Sequence, residues 1–240
     1  MSSWQRKFTT IGPIFAGADV FVVGTGTSLR EFDWSRLAGR STIVLNDAVK
    51  HVQDASIHLF SDSGIWKRYK DLVYNNGTRI VCQLAAIQNF LKARPDLHDC
   101  IYEFKHYGAP DMSEGPKDIK LYVAQTVATA GIMLAWRLCA RRVFLLGVDG
   151  YRGVDGSYYC DGSVKRRVRA KKQKVVDGLI VEAHHQKWGD NMRRLKKSFC
   201  GIGIYPCNFP GAGVYNLSAR SSIDAWPKID VDKILNGREA

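Results

Sequence analysis

The residues best suited to holding an anion lie in Asp19–Leu29, DVFVVGTGTSL. Gly24 and Gly26 allow tight backbone geometry and the close approach of a ligand. Thr25 adds a polar group to the turn. Thr27 or Ser28 can cap a following helix whose first N–H groups point outward, which favours an anion, typically a phosphate, by about 0.3–1 kcal/mol. Leu29 stands where the dinucleotide fingerprint has its third glycine, and no Gly-Lys-Ser/Thr is present. The turn therefore reads either as a nucleotide site or as a plain strand-to-helix connection. Other candidates close apolar runs: Asn46 and Asp47 after TIVL, Asp62 after IHLF, and Asp149 and Tyr151 after RVFLLG. The carboxyl ends of parallel strands are where open α/β sheets bind ligands. The same residue types also cap helices and make turns. Thr129, Ala130 and Gly131 are small enough for a ligand, or for helix-on-sheet packing. His184 and His185 begin the last long helix, and histidine titrates near working pH; a surface or capping role is the plainer alternative.

The elements that must position these groups are visible as alternating patterns. Apolar runs at 19–23, 42–46, 57–60, 79–82, 100–104 and 142–147 suit strands, and a last strand is expected at 202–205. Helices are expected at 28–37, 64–74, 84–93, 125–140 and 180–199. The helix at 125–140 is apolar nearly all round and should be buried. Such alternation predicts an α/β fold with an open, mostly parallel sheet and helices on both faces. Residues 106–120 and 152–178 look irregular. The second segment, polar and strongly charged, is expected to be a mobile basic lid. No repeat or compositional break divides the chain, so one domain over 1–240 is expected.

The chain has 240 residues, 45% of them hydrophobic and 24% charged, as in ordinary globular proteins. No apolar run is long enough to cross a membrane, the N-terminal residues lack the apolar core of a secretory signal, and six scattered cysteines form no C-x-x-C pair. A cytoplasmic, reduced protein with no transmembrane segment is expected. The net charge of +12 is the outlier. It points to an anionic partner, and the run Lys165–Lys174 concentrates it.

The order of motifs resembles that of the bacterial lipooligosaccharide sialyltransferases and the related hydroxymethylpterin-diphosphokinase-like proteins. Gly24-Thr25-Gly26-Thr27-Ser28-Leu29 is similar to their G-x-G-P-S-L, with Thr27 in place of proline. Asp33-Trp34-Ser35-Arg36-Leu37 matches D-x-S-R-L. Asn46 follows the second strand, Thr129-Ala130-Gly131 stands for T-S-G, and Gly147-Val148-Asp149-Gly150-Tyr151 and Gly156-Ser157-Tyr158 stand for G-I-D-F-Y and S-S-Y. The resemblance covers most of residues 19–218. It implies a Rossmann-like transferase taking a sugar from a CMP- or UDP-linked nucleotide-sugar donor, with no metal required, and a homo-oligomer. It implies His185 as general base on the acceptor hydroxyl, with His184 the competitor. Tyr151 and Tyr158 become donors to the departing phosphate, with Tyr159 an alternative to Tyr158. The donor would contact Thr25, Gly26, Thr27, Ser28, Asn46, Asp47, Asp62, Thr129, Ala130 and Asp149. A positioned base is worth about 10²–10⁴-fold, and fixed phenols stabilise a departing phosphate.

Two other readings stand beside this one. A diphosphokinase-like phosphotransferase would need Mg²⁺ held by carboxylates such as Asp47, Asp62, Asp149 and Asp161. A nucleic-acid-binding protein would use the run Lys165–Lys174 on phosphates. A transferase whose anionic acceptor is a glycan or a nucleic acid would combine the two.

Overall fold

In the computed structural model of the chain, the residues described are 11–74, 77–83, 91–92, 94–107, 120–123, 126–151, 153, 157, 160–161, 173–176, 179–202 and 213–237. Among the described residues ten strands are formed: β1 (Asp19–Val23), β2 (Ser41–Leu45), β3 (Ile57–Phe60), β4 (Arg79–Gln83), β5 (Ile101–Tyr107), β6 (Lys120–Tyr122), β7 (Arg142–Leu146), β8 (Gln173–Val176), β9 (Leu179–Glu182) and β10 (Gly213–Asn216). The α-helices are α1 (Ser63–Tyr69), α2 (Val127–Arg137), α3 (Ala183–Ile202) and α4 (Val231–Leu235). Eight strands make one sheet in the order β10-β7-β1-β2-β3-β4-β5-β6, and every pairing in it is parallel. β8 and β9 form a separate antiparallel hairpin.

The chain leaves β1 toward β2 and later returns to β7 on the other side of β1. The direction of winding therefore reverses between β1 and β7. In open α/β sheets ligands bind beyond the carboxyl ends of the strands at such a reversal.

Both faces of the sheet are covered. Val20, Val22, Ile43, Leu45, Val143 and Leu145 point to one face, where α2 and the Met192 and Leu195 side chains of α3 pack. Phe21, Val23, Val44, Phe144 and Leu146 point to the other, beneath Leu29, Leu37, Val49 and Leu235. That alternation follows from the period of two along a strand. α2 is buried throughout, as its all-round apolarity requires. A Cβ on Gly131 would lie 2.8 Å from Cγ1 of Val22, so this residue must be small for α2 to sit on β1.

Several sequence expectations need correction. The expected helix at 28–37 is two 3-10 turns, Thr27–Leu29 and Trp34–Leu37. Asp33 starts the second turn by accepting from the Ser35 amide, an Asx cap that interrupts any longer helix. Residues 106–107 continue β5 and residue 120 starts β6, so the loop expected at 106–120 is shorter; 108–119 lie outside the described residues. Gln173–Val176 is a strand, and 162–172, with most of the basic run, lie outside the described residues. The helix expected at 180–199 is α3, which begins at Ala183, after β9. The strand expected at 202–205 is overturned at Ile202, the last residue of α3, while 203–205 are not described. The edge strand is β10. No helix among the described residues is long and apolar enough to cross a membrane.

Candidate active site

Ladder-like links continue past the carboxyl ends of β1 and β7. The Gly24 amide donates to Leu146 O (2.8 Å) and the Gly26 amide to Gly147 O (2.9 Å). The Ser28 amide then donates to Asp149 Oδ2 (2.8 Å) and its Oγ to Oδ1 (2.6 Å). Gly24 and Gly26 are required by this approach of two backbones. A Cβ at either would lie 2.5 or 2.6 Å from Gly147 O, so at least one function of these glycines is to let the β7 turn in. The expected helix N-terminus is absent, since Thr27–Leu29 is a single 3-10 turn without a side-chain cap. The outward Ser28 amide already holds an anion, the carboxylate of Asp149.

Asp149 is 2% exposed. Burial raises its carboxyl above the usual range, while hydrogen bonds from Ser28, Ser218 and Tyr151 pull it down. Ser218, just past β10, donates its Oγ to Oδ1 (2.9 Å). The carboxylate thus joins the ends of β1, β7 and β10. Tyr151, 5% exposed, is pushed up to about 12 by burial and by the Asp149 charge, against hydrogen bonds with Thr27 and Ser218. It stays a protonated phenol, and so a hydrogen-bond donor, throughout the physiological range. Thr25 is held from the next segment, its carbonyl accepting from the Cys160 amide (2.8 Å), and Arg30 donates to the Ser157 hydroxyl (2.8 Å).

Asn46, at the end of β2, flanks the crevice on the other side. It adopts φ of 50°, the left-handed region, and its Oδ1 is buried without a hydrogen-bond partner among the described residues. His58 on β3 fixes its backbone: Nε2 lies 2.9 Å from Asn46 O, and Nδ1 2.9 Å from the Tyr74 hydroxyl. A carbonyl only accepts, so Nε2 carries the proton and Nδ1 accepts from Tyr74. Burial lowers His58 to about 4; the ring is neutral in working conditions.

The remaining predicted residues have partners within the fold. Asp47 is buried and clasped by Arg68, Nε to Oδ1 at 2.9 Å and Nη2 to Oδ2 at 3.0 Å. Asp62 is exposed at the carboxyl end of β3 and caps α1 through the Gly64 amide (2.7 Å). Thr129 is buried and donates to Tyr122 O (2.6 Å) and Thr126 O (2.8 Å), while Ala130 is a core residue of α2. Asp161 pairs with Lys50. No three His, Cys, Asp or Glu side chains among the described residues are grouped to hold a metal ion.

His185, the third residue of α3, is 1% exposed and meets Trp188 edge-on, ring centroids 5.0 Å apart. Six residues on, Asn191 accepts from the Tyr122 hydroxyl (2.9 Å) at the carboxyl end of β6, and Arg193 pairs with Asp224, near the turn beyond β10. At 1.5 Å per residue His185 stands about 9 Å along the helix from Asn191. Tyr158 and Tyr159 lie outside the described residues.

Sequence reasoning missed His58, Tyr74 and Ser218. A histidine inside the apolar run IHLF and the serine-rich SARSS after β10 were the available signals.

No protein-family model matches the chain, and no curated protein sequence matches it. Among solved structures it is similar to the sialyltransferase CstII from Campylobacter jejuni in complex with a substrate analogue, cytidine-5'-monophosphate. The identity is 16%, the alignment covers 89% of this chain and 85% of that one, and the TM-score is 0.50. A second structure of CstII, with CMP-3FNeuAc, aligns at 15% identity over 88% and 86% of the two chains, with a TM-score of 0.48. The chain has a sialyltransferase-like fold.

Proposed function

We propose that this protein is a glycosyltransferase that takes its sugar from a CMP-linked donor and passes it to a hydroxyl acceptor. One observation carries the reading. The glycine turn, Asn46, Tyr151 and the turn after β10 all follow the carboxyl ends of four adjacent strands, β2, β1, β7 and β10, around the winding reversal. The sialyltransferase-like fold supports it, since CstII is solved with cytidine-5'-monophosphate.

The residues supply the chemistry as follows. The nucleotide lies over the glycine turn, with Thr25, Thr27 and the unsatisfied Oδ1 of Asn46 beside it. Asp149 and Ser28 shape the turn. The acceptor oxygen attacks the anomeric carbon, and the bond from that carbon to the phosphate oxygen breaks with its electron pair going to the phosphate. The acceptor proton passes to the imidazole of His185. The phenol of Tyr151, protonated at working pH, turns its one O–H from Asp149 to the departing phosphate, and Tyr158 is the proposed second donor. An acceptor that is itself anionic, a glycan or a nucleic acid, suits the net charge of +12.

Isothermal titration with CMP in the presence of EDTA tests the donor class, with UMP, GMP and AMP as competitors. Hydrolysis of CMP-sugars by the protein and by His185→Ala and Tyr151→Phe tests the roles. Binding of CMP and a loss of about 10²-fold or more in His185→Ala transfer are expected. Binding of none of the four nucleotides refutes the proposal.

A further inference from the structure

A reaction that expels a nucleoside monophosphate must neutralise charge growing on the phosphate. Asp149, buried between the ends of β1, β7 and β10, offers no positive charge. The glycine turn contributes no lysine, in contrast to a P-loop. A cation is needed from elsewhere, and the segment after β10 carries one on an anchored turn.

Ser218-Ala219-Arg220-Ser221 is a tight turn closed by the Ser221 amide on Ser218 O (3.1 Å). It is anchored to the β7 turn on both sides of its tip. Ser218 Oγ donates to Asp149 Oδ1 (2.9 Å), Ser221 Oγ to Asp149 O (2.9 Å), and Ser222 Oγ to Gly150 O (2.5 Å). The Ser222 amide adds a bond to Asp149 O (2.8 Å). The fit at Gly150 is close enough that a Cβ there would lie 2.6 Å from Ser222 Oγ. Lys228 Nζ braces the turn from behind on Ser221 O (2.8 Å). Three serines in five residues thus lash a turn to residues 148–150, and Arg220 is at its exposed tip. Its charge reaches the neighbouring phenol and pulls Tyr151 down against burial. A surface arginine serving only solubility has no need of a turn held at both ends.

From this geometry we infer that Arg220 is the cation that binds the donor phosphate, beside Tyr151. The inference rests on the nucleotide reading above. The guanidinium fork offers two parallel N–H groups to phosphate oxygens. Arg220 stabilises the bound nucleotide and, more strongly, the phosphate that leaves. The turn's anchors fix the backbone from which the guanidinium reaches.

The test is titration of the full chain with CMP and with cytidine, for the parent, Arg220→Ala and Arg220→Lys. Being exposed, Arg220 is replaceable without loss of folding, which thermal melting checks. Arg220→Ala is expected to weaken CMP about 10- to 100-fold, the worth of a charged hydrogen-bonded pair, and to leave cytidine within about twofold. Arg220→Lys should recover part of the loss. Equal CMP affinity in parent and Arg220→Ala overturns the inference and leaves the donor reading standing. So does an equal loss for CMP and cytidine, which would mean a structural role. A parent that binds no nucleotide removes the donor reading itself.

Discussion

Acidification should destabilise the protein through His58, and His58→Gln should remove that share of the loss. The ring is fully buried on β3, packed against Phe60, Tyr69 and Tyr74. Its Nε2–H is committed to Asn46 O. A second proton would place a cation in an apolar site, and burial accordingly lowers the group from 6.5 to about 4. Because the folded value is depressed, the native state binds fewer protons than the unfolded chain below the unfolded value. The stability is therefore present above about pH 6.5 and is lost as pH falls toward the folded value. The gap is worth about 3 kcal/mol by about pH 4, of which about 1 kcal/mol is already lost at about pH 5.5. Urea unfolding of parent and His58→Gln across this range is the assay. Gln retains a donor for Asn46 O and does not titrate, so the contributions of the carboxylates cancel in the difference. The two stability curves should converge by about 3 kcal/mol between about pH 7 and about pH 4. Parallel curves would refute the assignment of a neutral His58 buried in the native state.

Other predictions follow from the same contacts. Gly26→Ala should destabilise by about 1–3 kcal/mol, because its Cβ would meet Gly147 O and the Asp149 carboxylate; a midpoint of chemical unfolding equal to the parent's would contradict the packed-turn account. Gly131→Ala should cost about 1–3 kcal/mol by pressing on Val22, without altering nucleotide affinity relative to the folded fraction, and ligand titration separates the two. Asn46→Gly should leave the chain as stable or more stable by about 0.5–1 kcal/mol, relieving the left-handed backbone and the unsatisfied Oδ1, yet weaken CMP; thermal melting with and without CMP would show whether the gain and the loss occur together.

The sheet was legible because its central strands are written as short apolar runs. DVFVV, STIVL and RVFLL bury nearly every side chain, and such runs have few other uses. β10 was not legible as a strand: GVYN is four residues long, only half-buried, and on the sheet edge. β6 and β8 are short and lysine-bearing, so periodicity says little about them. The helix expected after β1 failed because Asp33 offers its carboxylate to Ser35, a local bond that competes with helix propagation. At the site, the glycine turn, Asn46, Asp149 and Tyr151 could be found from their positions after apolar runs. Their partners could not. Nothing local tells that Ser28 will hold Asp149, that His58 will hold Asn46, or that Ser218 will reach across from the end of β10. These are properties of strand order, and strand order is set by long-range packing.

The bond between Ser28 and Asp149 spans 121 residues of chain, and that between Ser218 and Asp149 spans 69. The crevice is thus closed by contacts of high sequence separation, whose loop entropy must be overcome before any of them is rewarded. During synthesis the glycine turn and the β2 and β3 edges emerge early, while Asp149 and then the serine-rich turn arrive late. Until they do, Gly24 and Gly26 have no β7 backbone to meet, and the left-handed Asn46 faces an unfinished edge. The proposed nucleotide surface is therefore assembled last. A growing or partly unfolded chain cannot use it, and a nucleotide that binds there would select the completed sheet and no earlier species.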